Sequence, residues 1–197
     1  IDDAQRDDGS VPSVAPTYWP MFPDDVTWPS AFTITPSSLY DQYGDVRVLQ
    51  ERYAGMKKWI EYMSRFLENG IMPRDTYGDW CVPPESPELI HSKDPNRQTA
   101  KPVLGTTYFY KNLMLMARYA SILGREDDAA QFKAKAEEIN KAFNEKFFDK
   151  EKCQYDNGSQ TSFVLPLAFG MVPEESKQEV FENLVNKILT ETKGHIG

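Results

Sequence analysis

A threefold alternation of helix patterns constrains this chain more than any other feature of its sequence. Three times a mostly apolar stretch ends at a glycine, and an amphipathic stretch led by an acidic residue follows. The glycines are Gly44, Gly124 and Gly170. Glycine is favoured in the left-handed conformation that ends a helix, and acids are favoured at the positive end of the next helix. The sequence therefore predicts three helical hairpins in series, each with an inner and an outer helix.

The two kinds of helix differ in their apolar periodicity. The outer candidates at 45–68, 126–148 and 174–190 each carry one apolar stripe with a 3.6-residue period. The inner candidates at 103–123 and 160–169 are apolar on almost all sides, which predicts burial on most faces. A weaker inner candidate spans 29–43.

The spacing of the three glycines along the chain is uneven, which argues against a uniform solenoid. We therefore expect an all-α fold, a partial (α/α)6 toroid of about three hairpins with long aromatic and proline-rich loops. Within one barrel domain over 1–197 we expect a leading loop 1–30, hairpin 31–70, insertion loop 71–102, hairpin 103–148, β excursion 149–159, hairpin 160–191 and the start of a next segment at 192–197.

Composition excludes several classes of function. Lys and Arg number 22 and Asp and Glu 30, giving a net charge of −8, whereas a nucleic-acid binder carries a basic patch. No apolar run is long enough to cross a membrane. The two cysteines, Cys81 and Cys153, provide neither a disulfide framework nor a zinc motif. We therefore expect no nucleic-acid partner, no membrane partner, no metal and no cofactor.

An acid followed by an indole occurs in two of the predicted loops. Asp25 precedes Trp28, and Asp79 precedes Trp80 directly. Carboxylates accept hydrogen bonds from hydroxyl groups, and an indole covers the apolar face of a sugar ring. The same residues are equally typical of an acidic helix cap beside a packed tryptophan. Both interpretations are open at this point, and the pairing in two loops strengthens the sugar-binding one.

Five short stretches spread over nearly the whole chain carry a family resemblance. They are Ile1-Asp2-Asp3-Ala4-Gln5 with Gly9-Ser10-Val11-Pro12, Asp25 with Trp28-Pro29-Ser30-Ala31, Gly78-Asp79-Trp80, Gln160-Thr161-Ser162, and Lys193-Gly194-His195-Ile196-Gly197. In this order and spacing they resemble bacterial α-L-rhamnosidases of glycoside hydrolase family 78. The catalytic domain of that family is an (α/α)6 barrel, in agreement with the three hairpins predicted above.

The resemblance implies hydrolysis of terminal α-L-rhamnosides with inversion. In such enzymes one carboxylic acid protonates the leaving oxygen while a carboxylate about 6.5–9.5 Å away activates water. The family's general acid lies in an Arg-x-Glu-Arg motif expected before Ile1, and its general base is expected after Gly197. The chain begins at Ile1 rather than Met, and we expect both of its ends to be cut.

The resemblance therefore assigns no catalytic residue to this chain and predicts that it is inactive alone. It implies sugar-binding roles for Asp25, Trp28, Asp79 and Trp80, with a rhamnose-containing oligosaccharide or glycoside as the partner. It also implies a bacterial source, and leaves the compartment open, with the periplasm and the cell exterior as candidates.

Two alternatives compete with this interpretation. One is a different (α/α)6 glycosidase, similar to trehalase or glucoamylase. The other is a non-catalytic helical-repeat module that binds a protein partner. In addition, three hairpins of a six-hairpin barrel would leave two open sides, which predicts self-association through exposed apolar surface.

Overall fold

The computed structural model describes residues 1–18, 21–22, 25–79, 81–82, 84, 88–92, 94, 97–191 and 193–194. Within these residues there are six α-helices: α1 Ala31–Tyr43, α2 Arg47–Ser64, α3 Lys101–Ile122, α4 Glu126–Phe147, α5 Gln160–Phe169 and α6 Lys177–Asn186. Turns of 3₁₀-helix lie at Asp2–Ala4 and Glu174–Ser176, and a π-helical turn at Lys187–Glu191. Strands β1 Phe148–Asp149 and β2 Gln154–Tyr155 pair antiparallel, with Phe148 opposite Tyr155. The predicted all-α class and the partial toroid are confirmed.

The glycines at the hairpin joints have the predicted left-handed conformation. Gly44 has φ 66° and its N–H donates to the Tyr40 carbonyl at 2.8 Å, while Gly170 has φ 73°. Gly124, just beyond α3, has φ 69°. A residue with a Cβ would be strained at these angles, so the chain reverses where glycine occurs and each inner helix is followed closely by its outer helix.

The outer helices α2 and α4 bury an apolar stripe against the inner ones, whereas Phe181 of α6 stays 51% exposed. Tyr53, Met56, Trp59 and Ile60 of α2 are among its buried residues. From α4 the buried residues are Ala129, Phe132, Ala136, Ile139 and Phe143. These side chains belong to one hydrophobic core that also includes Phe109, Leu113 and Met116 of α3. Because α3 contributes to the core along its whole length, it is the central element of the fold.

The inner helices α1, α3 and α5 run parallel to one another. Thr33 of α1 contacts Asn112 of α3. Further towards the C-terminus of both helices, Asp41 of α1 pairs with Arg118 of α3. Between α3 and α5, Thr99 contacts Ser159 at one end, and Tyr108 packs edge-on to Phe169 at the other, with ring centroids 5.4 Å apart. In each pair of helices, higher residue numbers on one helix contact higher residue numbers on the other. The helices are therefore parallel, and their N-terminal ends face the same side of the molecule.

Some apolar side chains of the inner helices stay exposed. Leu39, Met114 and Val164 come from α1, α3 and α5 respectively, and each is more than a third exposed. The predicted self-association would use these exposed apolar side chains, and it stays a prediction. Within the described ranges no helix combines the length and the apolar character needed to cross a membrane.

A close backbone contact fixes the position of the segment that follows the first hairpin, α1–α2. The Met72 N–H donates to the Thr106 hydroxyl of α3 at 3.0 Å. A Cβ on Gly105 would lie 2.5 Å from the Arg74 carbonyl oxygen and 3.1 Å from the Met72 carbonyl oxygen. Only glycine therefore lets residues 72–74 lie directly on α3, and this contact sets the position at which residue 75 begins the next turn.

We predict that Gly105→Ala destabilises the fold. At an open position inside a helix this change stabilises by about 1 kcal/mol through helix propensity. Here the added methyl group collides with backbone, so the free energy of unfolding should fall by about 1–3 kcal/mol. Urea denaturation followed by far-UV circular dichroism measures the change, and a gain in stability would show that residues 72–74 do not approach α3 this closely.

Candidate functional site

Four loop segments meet at the N-terminal ends of the inner helices. Residues 25–30 lead into α1, 97–100 lead into α3 and 156–159 lead into α5, while 75–79 come from the long connection between α2 and α3. We call these four segments the site loops. Helix N-termini carry a partial positive charge and unpaired N–H groups, so this end of the molecule favours carboxylate side chains and ligands rich in acceptors.

Asp25 joins two of the site loops. It is only 1% exposed, and its carboxylate accepts the Trp28 N–H at 3.3 Å and the Thr76 N–H at 3.1 Å, one on each oxygen. The first contact closes the turn before α1, and the second holds a residue 51 positions further along the chain. Asp25 was predicted to touch a sugar, and the structure places it beneath the surface, where its oxygens bind backbone.

Two aromatic rings lie side by side above this carboxylate. Trp28 and Tyr77 have ring centroids 4.7 Å apart, with an interplanar angle of 36°. The Trp28 side chain remains 44% exposed, and Tyr77 is half-buried. A large exposed indole packed against a second ring provides a flat apolar surface of the kind that covers a sugar face. Tyr77 lies in the same short motif as Asp79, yet the sequence analysis did not predict it as a site residue.

A second buried carboxyl, Asp75, was also missed. It is 4% exposed, and one of its oxygens accepts the Gly78 N–H at 2.7 Å. In the described part of the chain the other oxygen, which is buried, has no hydrogen-bond partner. Burial has the largest effect on the pKa of Asp75 and raises it. The Gly78 N–H lowers this pKa, Asp25 raises it, and Thr27 and Lys101 lower it, so that the net shift is upward. The spacing Asp75-x-x-Gly78 is a turn signal that could have been noticed.

Asp79 links the turn at 75–79 to the starts of α3 and α5. One of its oxygens accepts the Thr99 hydroxyl at 2.6 Å and the Thr99 N–H at 3.2 Å. The Thr99 hydroxyl also lies 2.5 Å from the Ser159 hydroxyl, and Ser159 caps α5 by accepting the Ser162 N–H. Asp79 therefore also holds loops together, through one oxygen that accepts both Thr99 donors.

The segment before α5 is bound to the start of α3 by two further contacts. Asp156 accepts the Ala100 N–H at 3.0 Å, and the Asn157 side-chain amide donates to the Gln98 carbonyl at 2.8 Å. Gly158 has φ 67° and its N–H donates to the Tyr155 carbonyl at 2.9 Å, so the chain turns here before α5. The site loops therefore form a continuous hydrogen-bonded rim.

The rim combines an exposed aromatic surface with buried acceptors. Trp80, the fourth predicted site residue, and His195 lie outside the described residues. In the described part of the chain no group of three or more His, Cys, Asp or Glu side chains is arranged to hold a metal ion. Both buried carboxyls beneath the rings serve the backbone, so the arrangement is suited to binding a partly apolar, hydroxylated molecule.

Comparison with known proteins decides the family. A family model described as the bacterial alpha-L-rhamnosidase 6 hairpin glycosidase domain matches residues 1–197. The chain belongs to this family. The six-hairpin fold of the family accounts for the parallel inner helices described above. The predicted family is confirmed over the trehalase-like and glucoamylase-like alternatives.

Curated relatives and solved structures agree with the family model. The chain is 31% identical over 196 residues to an α-L-rhamnosidase of Formosa agariphila, covering 100% of this chain and 20% of that protein. An α-L-rhamnosidase of Alteromonas sp. is 31% identical over 195 residues, covering 98% of this chain and 21% of that protein. The rhamnosidase domain described here therefore spans about a fifth of the length of these relatives.

Two solved structures match the fold closely. The α-L-rhamnosidase from Dictyoglumus thermophilum superposes with a TM-score of 0.87 at 33% identity, covering 100% of this chain and 22% of that chain. The Streptomyces avermitilis α-L-rhamnosidase complexed with L-rhamnose gives a TM-score of 0.84 at 28% identity, covering 96% of this chain and 17% of that chain. The architecture of this rhamnosidase-family chain is therefore shared with part of each of these two α-L-rhamnosidases.

We predict that Thr99→Val loosens the rim. Valine has the shape of threonine and no hydroxyl, so Asp79 and Ser159 lose their common partner in a buried position. The free energy of unfolding should fall by about 1–3 kcal/mol, measured by urea denaturation. Thr17→Val is the matched control, because the Thr17 hydroxyl bonds the Val14 carbonyl at an exposed position. Equal effects of the two changes would contradict a structural role for the Thr99 hydroxyl.

Proposed function

We propose that this chain supplies part of the sugar-binding wall of an inverting glycoside hydrolase that acts on terminal α-L-rhamnosides. The observation that carries the proposal is the exposed Trp28–Tyr77 pair, 4.7 Å between centroids, held at the shared end of three parallel inner helices. Trp28 and Tyr77 contact the sugar, and Asp25 and Asp79 hold the loops that present these rings. Trp80, adjacent to Asp79 in sequence, contributes a further aromatic surface.

The chemistry of rhamnose matches this surface. Rhamnose is a deoxy sugar, and its methyl group and ring C–H groups form an apolar side opposite a set of hydroxyl groups. Aromatic side chains bury the apolar side and so gain the hydrophobic contribution. The site loops surround the rings with hydroxyls and backbone carbonyls, which are acceptors for sugar hydroxyls.

Relatives support the choice of sugar. The matched Streptomyces avermitilis enzyme is described as complexed with L-rhamnose, and the Formosa agariphila relative is named an α-L-rhamnosidase. The chain spans about a fifth of such proteins, so the complete reaction is a property that we propose for the whole protein.

We assign the general acid and the general base of the reaction to other parts of that protein. Asp25 and Asp75 are buried, and both use oxygens to bind backbone N–H groups. A general acid must instead reach the leaving oxygen, and a general base must reach a water molecule on the opposite side of the sugar. This chain therefore binds the substrate and leaves proton transfer to carboxyls elsewhere.

We predict that Trp28→Ala weakens binding of L-rhamnose to this chain. The change removes an apolar contact of about 1–2 kcal/mol, so the dissociation constant should rise about 5- to 30-fold. Saturation-transfer NMR with free L-rhamnose measures it at the weak affinities expected for a single sugar. Tyr43→Ala is the control, because Tyr43 is 79% exposed at the other end of α1.

Two results would contradict the proposal. A folded chain with no detectable affinity for L-rhamnose would favour the helical-repeat interaction module instead. Equal weakening by Trp28→Ala and Tyr43→Ala would show that the sugar does not bind at the site loops.

A further inference from the structure

Two buried carboxyls bind the backbone on either side of Tyr77. Asp25 accepts the N–H of Thr76, the residue before Tyr77, and Asp75 accepts the N–H of Gly78, the residue after it. The backbone of Tyr77 is therefore held on both sides by carboxyl oxygens. Since the Tyr77 ring packs on Trp28, these two contacts determine where the aromatic pair lies.

The two carboxyls differ in how fully they are bound. Each oxygen of Asp25 accepts a backbone N–H, from Trp28 and from Thr76. Asp75 has one such bond, and its second oxygen is buried with no hydrogen-bond partner among the residues that the structure describes. A buried charge is costly unless it is fully paired, and two neighbouring carboxylates disfavour each other's ionised form. Of the two, Asp75 is the one that gains more from carrying a proton.

We propose that Asp75 is a positioning residue that acts as a neutral carboxylic acid: its carbonyl oxygen holds the Gly78 N–H, its proton removes a second buried negative charge beside Asp25, and the Tyr77 ring is thereby kept against Trp28. The consequence for sugar binding rests on the proposed function. The contact between the two rings does not, and can be measured without any sugar.

The groups that face Asp75 act in both directions, because Asp25 favours its neutral form whereas the Thr27 side chain and Lys101 favour its charged form. Asp25 faces it from the loop before α1, together with the Thr27 side chain, and α3 contributes Lys101 and Tyr108. Lys101 donates to the Thr76 carbonyl at 3.2 Å, so its ammonium group is engaged at the rim. Burial raises the pKa of the Tyr108 hydroxyl.

The sign of the pH dependence follows. Burial raises the pKa of Asp75 above its ordinary value of 3.8, so the folded state favours the protonated form. The stabilisation by that proton is complete below the ordinary value and is lost as the pH rises through the raised pKa. Contact between Tyr77 and Trp28 should therefore weaken with rising pH over that interval.

Asp75→Asn and Asp25→Asn form a matched pair of variants. The amide in Asp75→Asn keeps a carbonyl oxygen for Gly78 and carries no charge, so it imitates the neutral acid. The amide in Asp25→Asn turns an NH₂ group towards one of two backbone N–H groups, so at least one bond is lost. NMR of the 197-residue chain reports the titration of the Asp75 carboxyl carbon and the nuclear Overhauser effect between the Trp28 and Tyr77 rings.

We expect the Asp75 carboxyl to titrate above its ordinary range. The Overhauser effect should be independent of pH in Asp75→Asn and lost in Asp25→Asn, or Asp25→Asn should not fold while Asp75→Asn does. Three results would overturn the proposal: titration of Asp75 at or below its ordinary value, loss of the ring contact or of folding in Asp75→Asn, or an intact contact in Asp25→Asn. Intact contact without L-rhamnose binding would instead refute the proposed function alone.

Discussion

The alignment of the inner helices depends on one buried amide, Asn112. Its NH₂ group donates to the Ser30 hydroxyl at 2.8 Å, and its oxygen accepts the Thr33 hydroxyl at 2.5 Å. All three side chains are buried, so sliding α1 along α3 by one turn would leave polar groups unpaired in the core at a cost of about 1–3 kcal/mol each. This network fixes the level at which the loop before α1 meets the connection from α2.

The site follows from that alignment. With α1 held in register, Asp25 reaches the N–H of Thr76, and the turn that carries Tyr77 lies beside Trp28. Asp79 and Thr99 then connect this turn to the cap of α5. The carboxylates at this end act mainly as structural acceptors for backbone, and the exposed rings provide the surface for a ligand.

The sequence predicted the fold well because its signals are local. Glycines at the joints and a 3.6-residue apolar period report the conformation of neighbouring residues, and the family resemblance placed the three hairpins within one barrel. The site was predicted less completely. Trp28 could be singled out as an indole in a loop, and its exposure agrees with a binding role that stays a proposal.

The roles of Asp25, Asp75 and Tyr77 depend on contacts between distant parts of the chain. Fifty residues separate Asp25 from Thr76, and no local pattern shows that they bond. Burial of a carboxyl is a property of the packed molecule, so the sequence analysis assigned Asp25 to the sugar and did not consider Asp75. Tyr77 gains its significance from Trp28, a partner that only the fold reveals.

An amide NMR titration of this chain with L-rhamnose tests the central claim most directly. The account predicts shifts that saturate and are confined to the site loops, that is to residues 25–30, 75–79, 97–100 and 156–159, with none at the opposite ends of α1 and α3. Saturable shifts centred on Tyr43, Gly44 and Gly124, or no shifts in a folded sample, would contradict it.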